Sequence, residues 1–238
     1  GVNVAGVTRA AATPAIMYGV DVFGLAATSL HAARSTVARM GAPPGSGKSV
    51  DLVLHLLDGP DGTLDPMFDA SLLGLRHWAY AWWESWVKGE WLIEGFQFAA
   101  AKLNDLTEWR KVHGPTTSLL CSLHRIGWTM PSAMEVIDHE GVAWRFQIDS
   151  PAAILQAGHR AVCKWRLGRI CAALPGLAPD VCDVGDASQP SSSFVMDFAD
   201  ILKRLCKGAK AGKSNRFWQP KFKADLTSAV TGGQVTNS

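Results

Sequence analysis

A chain of 238 residues is long enough for one or two compact domains with a true hydrophobic core. With 47% hydrophobic and 18% charged residues it falls outside the intrinsically disordered class, and no apolar run approaches the roughly 18 residues of a membrane span. The net charge of +2 excludes no partner, but the charge is segregated: between Lys203 and Lys223 there are eight Lys or Arg and no Asp or Glu.

In chain order, Thr13 to Leu25 is apolar and broken by Pro14, Gly19 and Gly24, which predicts a short helix or turn running into an extended piece. Thr28 or Ser29 can cap a helix from Leu30 to Met40, stopped by Gly41, Pro43 and Pro44. Val50 to Leu57 is an apolar run that periodicity assigns to neither strand nor helix. Asp65-Pro66 starts a helix on which Leu75, Trp78, Ala79, Trp82, Trp83 and Trp86 recur at steps of three and four. Core packing is the favoured reading of these tryptophans, with a base-stacking surface as the alternative. A second helix is expected from Leu92 to Val112, and a third from Thr116 to Ile126, ended by Gly127.

The β signal lies between about residues 134 and 148. Val142, Trp144, Phe146 and Ile148 alternate with polar or small residues, and Met134 to Asp138 can pair with them across His139-Glu140-Gly141. A long helix follows from Ser150-Pro151 to about Leu174, and residues 177–193 read as a linker. Val195, Phe198, Ile201, Leu202 and Leu205 then mark an amphipathic helix with a basic tail. The expected fold is mainly α, a bundle-like helical module with one small β-hairpin.

Five cysteines, Cys121, Cys163, Cys171, Cys182 and Cys206, are odd in number and contain no Cys-x-x-Cys. That argues against a disulfide scaffold or a structural zinc site and for reduced thiols in an intracellular protein, nuclear or cytoplasmic. The seven histidines are dispersed, so no metal site is expected. Asp138, His139 and Glu140 are read as a solvated hairpin tip. The chain begins at Gly1 rather than Met and ends in Thr-Asn-Ser, as a piece of a longer protein would.

Residues 42–49, Ala-Pro-Pro-Gly-Ser-Gly-Lys-Ser, satisfy a loose phosphate-binding loop with Ala in place of the first Gly. That loop needs a buried strand before it and a helix after it, and Leu30 to Arg39 reads as a helix instead. Leu54 to Asp58 follows Lys48 too closely for the return strand of a βαβ crossover. A Gly/Pro-rich loop is the favoured reading; nucleotide binding through Lys48 and Ser49 is the alternative. The basic run Lys203, Arg204, Lys207, Lys210, Lys213, Arg216, Lys221 and Lys223 surrounds Phe217, Trp218 and Phe222. Positive charge with interleaved aromatics suits phosphate contact and base stacking; a solvated tail is the alternative. A second basic cluster, Arg160, Lys164, Arg166 and Arg169, lies on the long helix, with Trp165 and Cys163 turned inward.

Thr13-Pro-Ala-Ile-Met-Tyr-Gly-Val-Asp-Val-Phe-Gly24, with the helix behind it, resembles the segment beyond the palm of non-LTR retroelement reverse transcriptases. Asp65-Pro66 with the Trp-rich helix, Trp109 and Gly114-Pro115 resembles the helical continuation in divergent protist copies. Ala229 to Thr236, with Trp218 before it, looks like the stretch preceding their cysteine/histidine-rich and RNase H-like regions. The polymerase signature Tyr-x-Asp-Asp is not in this chain, so no family catalytic residue has a matching position. The resemblance implies a non-catalytic thumb and connector gripping an RNA or DNA template–primer, attached to the rest of its own polyprotein, with no membrane. The parent would be an RNA-directed DNA polymerase. No cofactor is expected here, Mg2+ belonging only to the palm. The implied organisation is a thumb-like start (1–41), a helical connector with hairpin (42–176), a linker (177–193) and a basic helix and tail (194–238). Arg160, Lys164, Arg169, Lys203, Arg204, Lys207, Lys210 and Lys213 are the expected phosphate contacts, and Trp218 the stacking residue.

Overall fold

The computed structural model describes residues 8–41, 49–58 and 64–173. The linker, the basic helix and the tail expected from the sequence lie outside the described residues, as does most of the phosphate-loop-like stretch. The described chain is mainly helical with one small antiparallel sheet, as the composition and periodicity lead one to expect.

A π-helical turn (Thr8–Ala12) leads into α1 (Thr13–Ile16) and α2 (Val20–Phe23). Gly19 separates the two short helices at φ 75°, and Gly24 ends the second at φ 66°. Helix α3 (Ala27–Gly41) begins earlier than expected, so Thr28 and Ser29 lie inside its first turn rather than capping it. The ambiguous run is α4 (Val50–Asp58), whose start is held by the Ser49 hydroxyl accepting from the Leu52 N–H at 3.4 Å. Helix α5 (Pro66–Trp83) opens as expected, with the Asp65 carboxylate accepting from the Met67 N–H at 3.0 Å.

Helix α6 (Gly89–Lys102) is displaced from the expected 92–112 span. It stops because Leu103 is extended and Asp105 closes a local turn, accepting from the Thr107 N–H at 2.8 Å and its hydroxyl at 2.7 Å. A single 3-10 turn (Trp109–Lys111) follows, then α7 (Pro115–Arg125). The sheet runs β1 (Thr129–Ser132), β2 (Glu135–Ile137) and β3 (Ala143–Arg145) in that spatial order. The expected hairpin is the β2–β3 pair, with Val136 opposite Trp144; β1 adds a strand that Pro131 had masked in the sequence. Helix α8 (Pro151–Ala173) closes the described chain.

Helices α5 and α8 form the central pair. Gly158 is the close point: a Cβ there would lie 2.7 Å from Leu72 and 3.4 Å from Leu75. Met67, Leu75, Trp128, Phe146, Ile154 and Val162 are fully buried around this contact. The Trp78 and Trp82 indoles both donate to the Ala133 carbonyl, at 3.0 and 2.9 Å, and so fasten the sheet to α5. The amino-terminal helices are tied down at the other side. The Ser118 hydroxyl donates to the Val20 carbonyl at 3.1 Å, and the Arg125 guanidinium donates to the Leu25 carbonyl.

Gly24 tests this packing. An added Cβ would meet the Trp109 ring at 2.6 Å and the Ser118 hydroxyl at 3.0 Å, on a backbone conformation that suits only glycine. Gly24→Ala is expected to lower stability by about 1–3 kcal/mol. Urea unfolding should show this as an earlier midpoint with an unchanged slope.

Candidate functional site

Among the described residues, a cluster of charge lies between α3, α4, α5 and α8. Arg34, on α3, is 2% exposed and holds two carboxylates. Its Nε and Nη2 donate to the two oxygens of Asp65 at 2.8 and 2.9 Å, and its Nη1 donates to Asp51 at 2.6 Å. From α8, Arg166 lies 3.6 Å from Asp65, and the Arg169 Nε bridges both Asp51 oxygens at 3.1 and 3.2 Å. The Trp165 ring stands 5.1 Å from each of the Arg34 and Arg169 guanidinium carbons, and Phe68 lies 5.2 Å from that of Arg166. Burial alone would lower the Arg34 pKa, but its contacts with Asp65 and then Asp51 outweigh that and raise it above the ordinary value.

His55 lies beside this cluster. Burial, with the nearby Arg166 charge, lowers its pKa to about 4, and its Nδ1 has no hydrogen-bond partner among the described residues. The arrangement is a clamp of paired ions with a neutral imidazole at its side. It offers neither a free carboxylate for acid–base work nor an activated nucleophile. Burial also pushes the Cys121 thiol up to about 11, away from thiolate chemistry at neutral pH. Among the described residues no group of three His, Cys, Asp or Glu is placed to hold a metal ion.

The expected phosphate contacts are only partly brought together. Arg160 and Lys164 are exposed one turn apart on α8, Lys164 reaching Glu140 at 3.9 Å. Arg169 faces Asp51 instead, and Arg166 is in the interior. Of the four cations of this helix, Arg160, Lys164 and Arg169 are therefore exposed and Arg166 alone is buried. Trp165 and Cys163, expected to point inward, are both half-buried. Lys203, Arg204, Lys207, Lys210, Lys213 and Trp218 lie outside the described residues, and so does Lys48. Ser49 caps α4, and the elements flanking the phosphate-loop-like stretch are helices on both sides, where a nucleotide loop needs a strand before it.

Asp138 is not part of a solvated tip. It is buried, and its carboxylate accepts from the Glu140 and Val142 N–H groups at 2.8 and 2.9 Å and from the Trp144 indole at 3.1 Å. Burial raises its pKa, yet these three donors win and hold it below the ordinary carboxylate value. The sequence reading also passed over His159 and Cys163, whose ring nitrogen and sulfur stand 3.7 Å apart; their spacing of four on one helix was the available signal. His159 lines an open groove of about 560 Å³ with Phe68, Asp69, Leu72, Arg76 and Tyr80.

The tryptophans divide as well. Trp78 and Trp128 are core, but Trp83, Trp86, Trp91 and Phe98 are exposed, the last three at 64%, 61% and 62%. Helix α5 ends at Trp83, and Ser85 turns the chain at φ 54°, so the three-and-four spacing that put Trp86 on the core face no longer applies there. Trp86 stacks instead on Tyr80 with ring centroids 5.9 Å apart. The Lys88 ammonium lies 5.7 Å from the Trp91 ring centre and that of Lys102 lies 4.3 Å from the Phe98 ring centre.

Comparison with known proteins gave no match to a family model, to a curated protein or to a solved structure.

Two outcomes follow from the clamp. Arg34→Met leaves two buried carboxylates short of their main partner and is expected to cost about 3–5 kcal/mol in chemical unfolding. His55 gives a pH dependence whose sign is fixed by its lowered folded-state pKa. The unfolded chain takes up a proton near pH 6.5 and the folded one only near pH 4, so stability is full above that window and falls as pH drops through it. The loss should approach about 3 kcal/mol, and His55→Leu should remove this part of the slope in unfolding curves at pH 7 and pH 4.5.

Proposed function

We propose that this chain is a non-catalytic, nucleic-acid-gripping module, of thumb-and-connector type, from a reverse transcriptase of the non-LTR retroelement class. The observation that carries the binding half is the segregation of charge. Of the 23 Lys and Arg, eight lie between Lys203 and Lys223, and no Asp or Glu interrupts them. The aromatic residues Phe217, Trp218 and Phe222 interleave with that run. A segment of this kind neutralises phosphates without reading base edges.

The folded body adds Arg160 and Lys164, exposed on one face of α8. Arg169 is exposed as well, with its Nε held on Asp51 at 3.1 and 3.2 Å. In this reading the polymerase chemistry and its Mg2+ belong to a palm elsewhere in the parent protein. The retroelement origin rests on the Tyr18-Gly19 segment and the Asp65-Pro66 helix start. In the structure Tyr18 is exposed and Gly19 turns the chain between α1 and α2.

The test is binding of the full chain to a fluorescent RNA or DNA oligonucleotide across a salt series. Affinity should fall steeply with salt, and Lys207→Glu with Lys210→Glu should weaken it and flatten the single-strand slope by about 1.4, or about 0.7 for each lost phosphate contact. No salt-dependent binding by the parent chain, or an unchanged slope in the double variant, would remove the proposal.

A further inference from the structure

We infer that the open groove between α5 and α8 is a base-binding site for single-stranded nucleic acid. The inference rests on the function proposed above and adds to it a site on the folded body, apart from the basic segment. The groove's volume of about 560 Å³ lies within the roughly 300–1,000 Å³ that small-ligand sites occupy. Leu72, Leu73 and Leu155 line it and are only half-buried, so its floor is apolar yet open to solvent. Phe68 and His159 meet there with ring centres 4.6 Å apart. Tyr80 lies twelve residues further along α5, about 18 Å away at 1.5 Å per residue, and its ring is stacked on that of Trp86. Aromatic rings thus stand towards both ends of the groove.

The polar groups of the groove are uncommitted. Asp69, Arg76 and Gln156 are exposed in it, and none of the three side chains makes a hydrogen bond or salt bridge with a described residue. The Arg76 charge is felt at Asp69 without a direct contact between them. Arg34 and Arg169, by contrast, are held by carboxylates. Four residues beyond Gln156 on α8, and so beside it on the helix surface, stands Arg160. It is exposed and likewise makes no salt bridge with a described residue.

This chemistry selects the occupant. Leucine and aromatic surfaces take the flat face of a ring, and stacking of this kind accepts any base. The Asp69 carboxylate suits an exocyclic amino group on the edge of such a ring. Arg76 and Arg160 suit the phosphates that flank it. Two guanidinium groups against one carboxylate leave this surface positive, as a strand's backbone requires. A paired base has its faces covered by its neighbours and its edge occupied by its partner, so the base that enters is an unpaired one.

The test compares binding of the full chain to a short fluorescent single strand carrying all four bases with binding to the same backbone lacking bases. Asp69→Ala/Arg76→Ala removes the polar groups, and Ala152→Trp fills the groove. All three positions are exposed, and circular dichroism checks that each variant keeps its helices. The parent should bind the base-bearing strand about tenfold more tightly than the bare backbone, and each variant should lose most of that preference. Lys207→Glu/Lys210→Glu should do the opposite, weakening the binding of both strands and keeping their ratio.

No preference in the parent overturns the groove site. So does a preference that either variant keeps, which would place base stacking elsewhere in the chain. The two readings fail distinguishably. Salt-dependent binding without a groove-dependent preference leaves the nucleic-acid function and removes the site, whereas no binding of either strand removes both.

Discussion

The bidentate pair between Arg34 and Asp65 is the constraint on which the rest of the described structure depends. Asp65 is at once the cap of α5 and the partner of a guanidinium on α3, so the start of the central helix and the placement of an amino-terminal helix are settled by one carboxylate. Arg34 extends the same plane to Asp51, and Arg169 brings the far end of α8 to that residue. Four helices thus meet at a polar centre. Such a centre contributes little net stability, because desolvating the ions offsets much of their attraction. Its effect is on geometry, since a misplaced helix would leave an ion buried without its counterpart.

This polar centre divides the interior into unlike regions. Around Trp128, Phe146 and Ile154 the core is apolar and built from α5, α7, α8 and the sheet. A smaller cluster of Val37, Val53, Leu54 and Leu64 joins α3 and α4 to the residues before α5. A third, around Leu103, Val112 and Cys121, fills the space beneath the turn after α6. The ions sit where the first two approach each other, with Trp165 and Phe68 covering the guanidinium faces. Residues on either side of position 41 are therefore bound together by side-chain contacts as close as any within a single helix.

Local signals in the sequence were enough for elements with a chemical start or stop. Asp65-Pro66 announced α5, the alternation around Trp144 announced β2–β3, and Ser150-Pro151 announced α8. The signals failed where a side chain from elsewhere decides the outcome. Asp51 and His55 look like the polar side of a short helix, yet both are buried, Asp51 in ion pairs with Arg34 and Arg169 from distant segments and His55 near the Arg166 charge. Arg166 looks like a surface cation for the same reason, yet it is buried. The end of α6 was missed because Asp105 closes a turn through Thr107, a contact two residues long that carries no periodicity. The exposed tryptophans were misplaced by extending the α5 spacing past the turn at Ser85. Of the expected binding residues on this helix, the outer position of Arg160 and Lys164 was legible from their spacing, and the ion pair of the exposed Arg169 with Asp51 was not.

The paired indole contacts at Ala133 have a consequence for how this protein can change over generations. Two tryptophans from one helix share a peptide oxygen, and a peptide oxygen is present whatever residue is encoded there. Drift at position 133 is limited by the tight space around a buried methyl group and never by loss of the acceptor. The sheet can therefore diverge in side chains while keeping its seat, provided that the indoles at Trp78 and Trp82 are inherited as a pair.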